Sequence, residues 1–234
     1  STSTIFDKEG EVINYVSLFT DVTSYKEQEK EIKQLAHYDP LTRLPNRVLL
    51  ADRFSQACRK ASASDTKFAL CIVDLDDFKQ VNNTINRGIG DRILIDVAER
   101  IKQVLRVEDT VSRLGGDQFV LLVGDITNVD EAISIIVKLL QVIADKYSYS
   151  EHEINITASV GLSFYPDNDV ELDTMLRHTD QALYQAKVAG KNGWKIFNVF
   201  DDQQMVIKQI KSRLLFILNI FERLIYNFAW FNSN

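Results

Sequence analysis

The chain has 234 residues, 45% hydrophobic and 26% charged, with 27 basic and 33 acidic side chains giving a net charge of −6. That length suits one full domain with appendages, and the composition excludes a disordered tract or a small disulfide scaffold. The acidic balance argues against a polyanionic partner such as nucleic acid, although a nucleotide held by a few local groups stays open.

Residues 1–23 carry two short strands, Ile5–Phe6 and Val12–Phe19, around the turn Asp7-Lys8-Glu9-Gly10, where glycine supplies the positive φ. The chain starts at Ser1 without a Met, inside this strand-like segment, which suggests a piece of a longer parent. Asp21-Val22-Thr23 leads into a charged stretch, 24–38, with helical propensity and apolar positions at Ile32, Leu35 and Tyr38. From Asp39 the texture changes to a compact α/β pattern, opening with Asp39-Pro40-Leu41-Thr42-Arg43-Leu44-Pro45-Asn46-Arg47 and a helix to about Ser62. Phe68–Leu75 is a β-rich run with few polar interruptions, as expected of a central strand buried on both faces. A loop-helix region precedes Ile89–Leu105, where Ile89, Ile93, Val97 and Ile101 recur at helical spacing.

Thr110–Leu114 and Gln118–Val123 flank Gly115-Gly116-Asp117, the strongest hairpin signal in the chain. Val129–Tyr147 reads as a helix capped by Thr127 or Asn128. Glu153–Phe164 alternates as one strand, with Ile154, Ile156, Ala158, Val160 and Leu162 on one face. A helix over Glu171–Ala189 closes at Gly190, and Trp194–Phe200 is a short last strand. The order α-β-α-α-β-β-α-β-α-β is α+β rather than a repeated βαβ wind. The tail, 199–234, is helical in composition, with Met205, Ile207, Ile210, Leu214, Ile217 and Leu218 at mixed helical spacing. No apolar run reaches the roughly 18 residues of a membrane span, and no secretory signal is present. Cys58 and Cys71 lack metal-ligand spacing and read as buried thiols in a reducing, cytoplasmic compartment; any membrane anchor belongs to the parent.

Two carboxylates stand out by placement. Asp74 sits near the carboxyl end of the buried strand and Asp117 at the tip of the glycine hairpin, so if those strands are neighbours the two converge. With a backbone carbonyl such as that of Leu75 they make a hard-oxygen site suited to Mg²⁺ carrying phosphates. On spacing alone an Asp at a hairpin tip such as Asp117 is more often a turn residue. In the same way Lys187 and Lys191 suit the C-terminal dipole of their helix, Asp91 reads as a cap, and Asp76 as a loop or cap residue. His37, His152 and His178 share no cluster spacing.

The combined strings settle the matter differently. Asp74-Leu75-Asp76-Asp77-Phe78-Lys79-Gln80-Val81-Asn82-Asn83, Gly90-Asp91 and Arg113-Leu114-Gly115-Gly116-Asp117-Gln118-Phe119 resemble the GGDEF family, the diguanylate cyclases. The opening motif at 39–47, Ala158-Ser159-Val160-Gly161 and Asp180-Gln181-Ala182-Leu183-Tyr184-Gln185-Ala186-Lys187 agree in order and spacing, so the resemblance covers about 39–198. It implies a palm-type fold with a central, mostly antiparallel sheet flanked by helices, which condenses two GTP into cyclic di-GMP. Under it Asp74 and Asp117, with the Leu75 carbonyl, hold two Mg²⁺ (or Mn²⁺), and Asn82 and Asp91 hydrogen-bond the guanine. The backbone amides of Phe78 and Lys79, with Lys187 and Lys191, cradle the triphosphate, while Gly115 and Gly116 let the backbone approach it. Each domain of the family holds one GTP, which implies a homodimer for activity. Arg106 and Asp109 resemble the Arg-x-x-Asp inhibitory site for cyclic di-GMP. Residues 1–23 resemble the end of a PAS sensor domain with 24–38 as its connector helix, and the start of the tail resembles the link to an EAL phosphodiesterase domain in the parent.

Four positions depart from the pattern. Gln118 replaces the second acid of the hairpin and removes a charge beside the metal site. Asn86 and Arg87 replace Gly-His, with Asn86 expected to keep the turn at positive φ, and Arg43 replaces a glycine in a loop. Two functional readings follow: an active diguanylate cyclase, or a degenerate domain that binds GTP or cyclic di-GMP and regulates a neighbouring PAS or EAL domain. A purely structural dimerisation piece is the third, and it requires that no nucleotide bind.

Overall fold

The computed structural model describes residues 2–17, 21–23, 32, 34–149, 152–167 and 171–198. The apolar tail and most of the expected connector lie outside the described residues. The N-terminal strands form a two-stranded antiparallel hairpin, β1 (Thr2–Phe6) and β2 (Val12–Ser17), with Asp7 accepting from the backbone N–H groups of Glu9 and Glu11 in its turn.

The main body is one five-stranded sheet flanked by helices. Its elements are α1 (Arg47–Ser64), β3 (Lys67–Leu75), α2 (Phe78–Thr84), α3 (Arg87–Val104), β4 (Thr110–Gly115), β5 (Gln118–Ile126), α4 (Val129–Ala144), β8 (Ala158–Tyr165), α5 (Leu172–Val188) and β9 (Gly193–Ile196), with a small separate pair, β6 (Tyr147–Tyr149) and β7 (His152–Ile154). The sheet order is β4-β5-β3-β8-β9, antiparallel except for the parallel β8–β9 pair. This is the α+β, mostly antiparallel architecture expected.

β3 is the central strand, and every residue after Lys67 is buried. Its side chains alternate between two cores. Ala69, Cys71, Val73 and Leu75 pack with Ile93, Val97 and Ile101 of α3 and with Ile136, Leu139 and Ile143 of α4. Phe68, Leu70 and Ile72 pack on the other face with Leu50 and Phe54 of α1 and with Met175, Leu176 and Leu183 of α5. Both faces are therefore covered by helices, and the open chemistry lies at the ends of the strands.

Several boundaries differ from expectation, each for a local reason. α4 stops at Ala144, short of Tyr147, because Arg100 of α3 gathers the carbonyls of Val142, Ile143, Asp145 and Lys146 and stacks over the Tyr147 ring at 3.7 Å. The expected strand over 153–164 breaks between Ile154 and Ala158. Ile154 and Ile156 stay in the same core, but Thr157 turns its carbonyl and hydroxyl to Asp76 instead of to a ladder. Asn86 is extended, with φ −176°, and is the N-cap of α3, accepting from Ile89 N–H, so it keeps this corner as a cap and not at positive φ. Cys71 is buried, and burial pushes its thiol up; Cys58 is only half-buried. The Asn46 and Asn128 side chains cap α1 and α4 in the same way as Asn86.

Candidate functional site

The register of the two central strands sets Asp74 opposite Gln118, and the Leu75 N–H donates to the Asp117 carbonyl at 3.3 Å. The end of β3 and the tip of the β4–β5 hairpin therefore meet. Asp74 is 5% exposed and both of its oxygens are engaged: Lys187 Nζ donates to Oδ1 at 2.6 Å and the Gln118 amide donates to Oδ2 at 3.0 Å. Asp117 is half-buried. Burial first, then the facing charge of Asp74, raise its carboxyl above the usual carboxylate range, with Lys187 and Arg113 pulling in the opposite direction.

The hairpin tip is braced from an unexpected side. Arg113 donates from Nε and Nη2 to the Gly116 carbonyl at 3.1 and 2.6 Å, and from Nη1 to both oxygens of Asp39 at 3.0 and 2.9 Å. Thr42 donates its N–H and hydroxyl to the same Asp39, and the Arg113 N–H reaches the Pro45 carbonyl. Burial opposes ionisation of Asp39, but these donors outweigh it and lower its pKa. The opening motif at 39–47 is thus the foundation of the hairpin, although sequence reasoning assigned it no role beyond starting the domain. Gly115 and Gly116 have φ of +143° and +57°, and a Cβ at either would meet nothing within 4 Å. The hairpin tip therefore has an open face.

Immediately after β3 the chain places two further acids. Asp76, 6% exposed, accepts from the hydroxyls of Thr157 and Ser159 at 2.7 Å each and from Asn192 N–H at 3.0 Å. It is the loop residue expected, in the turn after β3, and its carboxylate is also a hub joining β3, β8 and the turn after α5. Its sequence signal was parity, since Asp74 and Asp76 continue the even-numbered face of β3. Asp77 has φ +57° and leads α2 without capping it, because its carboxylate receives Lys191 Nζ at 2.7 Å on both oxygens. That contact raises the Lys191 pKa. Phe78 is buried at the start of α2, and Lys79 beside it is exposed.

Lys187 and Lys191 reach these acids through the end of α5. Gly190 N–H bonds the Lys187 carbonyl and Lys191 N–H bonds the Ala186 carbonyl, the paired bonds of a Schellman turn with Gly190 at φ +127°. Lys191 and Asn192 follow at φ +62° and +44°, which turns Lys191 back to Asp77 and the Asn192 N–H to Asp76.

Asn82 of α2 meets Gly90 of α3, the residue before Asp91. A Cβ on Gly90 would lie 1.8 Å from Asn82 Oδ1, so glycine is what allows the Asn82 amide to sit against the first turn of α3 beside Asp91. Asp91 is exposed, and the cap of that helix is Asn86, not Asp91. Arg106 and Asp109 share one turn after α3: Arg106 N–H donates to Asp109, and Gly124 N–H holds the second oxygen. Burial raises the Asp109 pKa despite these bonds, and the Arg106 guanidinium is paired with Glu131 at 2.8 Å.

Comparison with known proteins gives the family. The family described as "Diguanylate cyclase, GGDEF domain" matches residues 36–193. The bifunctional diguanylate cyclase/cyclic di-GMP phosphodiesterase MucR of Pseudomonas aeruginosa is 42% identical over 175 residues, 75% of this chain and 25% of MucR. The cyclic di-GMP phosphodiesterase NbdA of the same organism is 34% identical over 167 residues, 71% of this chain and 21% of NbdA. The chain therefore spans a quarter or less of the length of these relatives. The structure of a delta-N mutant of TpbB (YfiN) from P. aeruginosa comprising only its GGDEF domain superposes with a TM-score of 0.69 at 29% identity, over 72% of this chain and 99% of that one. With a match over most of its length and the same fold beneath it, the chain belongs to the GGDEF family.

Proposed function

We propose that the chain is a diguanylate cyclase domain that holds one GTP and, with a second copy facing it, condenses two GTP into cyclic di-GMP. One observation carries this reading: the β3–β5 register brings Asp74 and Asp117 to one point, with Lys187 already on Asp74. Asn82 and Asp91 supply an amide and a carboxylate for the guanine edge. The backbone N–H groups of Phe78 and Lys79, with Lys187 and Lys191, hold the triphosphate, and the open face of Gly115 and Gly116 admits it.

The donor set fits a hard divalent cation. Asp74, Asp117 and the Leu75 carbonyl offer only oxygen, two carboxylates and a carbonyl; among the described residues no group of three or more His, Cys, Asp or Glu gathers at this site or at any other. Mg²⁺ is commonly bound by one or two carboxylates and completes its shell with water and phosphate; Mn²⁺ accepts the same ligands. Bound there, the cations neutralise phosphate charge and acidify the attacking hydroxyl. The protein's own part is positioning: the brace Asp39–Arg113–Gly116 fixes the hairpin, and the Asp76 hub fixes the turn that carries Lys191. Arg106 and Asp109 form the product site, and Glu131 is the acid that Arg106 leaves when product binds. Homodimerisation, PAS and EAL neighbours and a cytoplasmic location belong to the same proposal. Among the described residues no helix is long and apolar enough to cross a membrane.

The Gln118 amide on Asp74 favours a second reading, in which the domain binds GTP or cyclic di-GMP without turnover and regulates a neighbouring domain. One assay separates the two. Full-length protein with GTP and Mg²⁺ or Mn²⁺ yields cyclic di-GMP under the first reading, and Asp117→Ala abolishes it. A dimeric, GTP-bound preparation without product, in which Gln118→Glu gains activity, establishes the second.

A further inference from the structure

Asp74 is the carboxylate on which the metal reading depends, and each of its oxygens is engaged by one side-chain donor. Lys187 supplies a full positive charge to Oδ1 at 2.6 Å, and the Gln118 amide takes Oδ2 at 3.0 Å. The carboxylate side chain is 6% exposed, against 35% for the lysine. A charge so enclosed is stabilised by the donors around it, and any cation that displaces one of them must replace what it contributed. A glutamate at 118 has no hydrogen to give Asp74. The glutamine of this chain therefore engages an oxygen to which an ionised acid at 118 would give no hydrogen bond. Lys187 lies in the last turn of α5, and its ammonium is carried on a four-carbon stem with several rotatable bonds.

From these contacts we infer that Lys187 is an internal counterion which keeps divalent cation out of the site until a nucleotide triphosphate arrives to take the ammonium. This rests on the GTP reading of the site and adds its order of assembly. Metal and nucleotide then bind as a coupled pair: the triphosphate draws Lys187 off Asp74, Oδ1 becomes available to the cation, and the cation in turn tightens the nucleotide by the same factor. Metal without nucleotide competes with a covalently tethered ammonium and binds weakly. Lys187 is thus a positioning residue for metal entry as well as a phosphate ligand. The two roles push metal affinity in opposite directions when the residue is removed.

The test is a Mn²⁺ titration of the full chain, with free Mn²⁺ followed by electron paramagnetic resonance, in the absence and presence of a non-hydrolysable GTP analogue. The wild type is expected to bind Mn²⁺ about tenfold or more tightly with the analogue than without it. In Lys187→Met, Mn²⁺ alone is expected to bind about tenfold more tightly than in wild type while the analogue binds more weakly, so the coupling collapses. Because Lys187→Met leaves the buried Asp74 with one fewer donor, Lys187→Gln is titrated beside it. That variant keeps an N–H donor but no charge, so it folds like wild type in a melt and shifts Mn²⁺ affinity in the same direction. A merely structural role predicts weaker binding of both ligands in both variants. Mn²⁺ affinity without nucleotide that is equal in wild type and Lys187→Gln overturns the inference and leaves the GTP reading standing. Failure of wild type to bind the analogue at any Mn²⁺ concentration overturns that reading, and the inference with it.

Discussion

Asp117 sits half-buried with the Asp74 charge facing it, an arrangement that costs stability. Burial and Asp74 raise its folded pKa above the unfolded value of about 3.9. Between the two values the folded state keeps a proton that the unfolded chain has lost, so stability falls as pH rises through that window and stays lower above it. Asp117→Asn removes the charge but keeps the shape. In chelator, its melting temperature at pH 7 is expected to exceed that of wild type by a few degrees, corresponding to about 1 kcal/mol or less because solvent screens a half-buried group. The difference closes as pH falls below the ordinary carboxylate range. Product formation by the same variant is expected to fall more than about 100-fold, as a lost metal ligand should cost at least what a lost supporting contact does. Calorimetry across pH beside a cyclic di-GMP assay checks both, and a variant less stable than wild type at pH 7 would contradict the account. Asp74 and Asp117 stood out by placement at a strand end and a hairpin tip, but their roles and those of the lysines were legible only through the combined motif strings. Asp76 and Asp77 were not, because their partners, Thr157, Ser159 and Lys191, lie some 80 to 115 residues away in sequence.

Elements meet here at two glycines whose tightness differs in kind. A Cβ on Gly161 of β8 would lie 2.1 Å from the Thr179 carbonyl oxygen and 2.4 Å from Leu183 N, both backbone atoms of α5, so helix and sheet would have to separate. A Cβ on Gly90 would collide chiefly with the Asn82 side chain, which can turn away. Gly161→Ala is therefore expected to destabilise the fold by about 3 kcal/mol, the upper end of overpacking. Gly90→Ala should leave the melt nearly unchanged and weaken GTP binding about tenfold or more, because the Asn82 amide loses its place. Thermal melts and nucleotide titrations on the two variants suffice, and matched losses in both properties would sink the distinction. At this scale hydrophobic period carried the reading: strand β3 and helices α1, α3 and α5 stand within a few residues of where periodicity puts them. It failed where a side chain overrode local pattern, at the end of α4 under Arg100 and between β7 and β8 under Asp76. The Asp39–Arg113 brace was illegible for the same reason, since nothing local announces a contact 74 positions long.

For the whole molecule, the proposed site holds one nucleotide while the proposed product contains two, so chemistry requires two chains to meet with their hairpin faces opposed. Each chain brings a net charge of −6, and each bound triphosphate adds more negative charge to the face that must approach. The encounter is therefore opposed by long-range repulsion that salt can screen, the Debye length falling from about 30 Å at 0.01 M to about 8 Å at 0.15 M. Two dependences are expected together. Initial rate per mole of protein should climb with protein concentration until the pair is saturated, and the concentration at half-maximum should fall as monovalent salt rises from about 0.01 M to about 0.15 M at fixed free Mg²⁺. Salt at these levels weakens the exposed lysine–nucleotide contacts, so GTP is kept saturating at each condition to isolate association from binding. Rate series at several dilutions, read beside sedimentation of the same samples, check the point. A rate strictly proportional to protein over the whole range, from a species that sediments as a monomer, would mean that one chain completes the reaction alone and that the single-nucleotide site is misassigned.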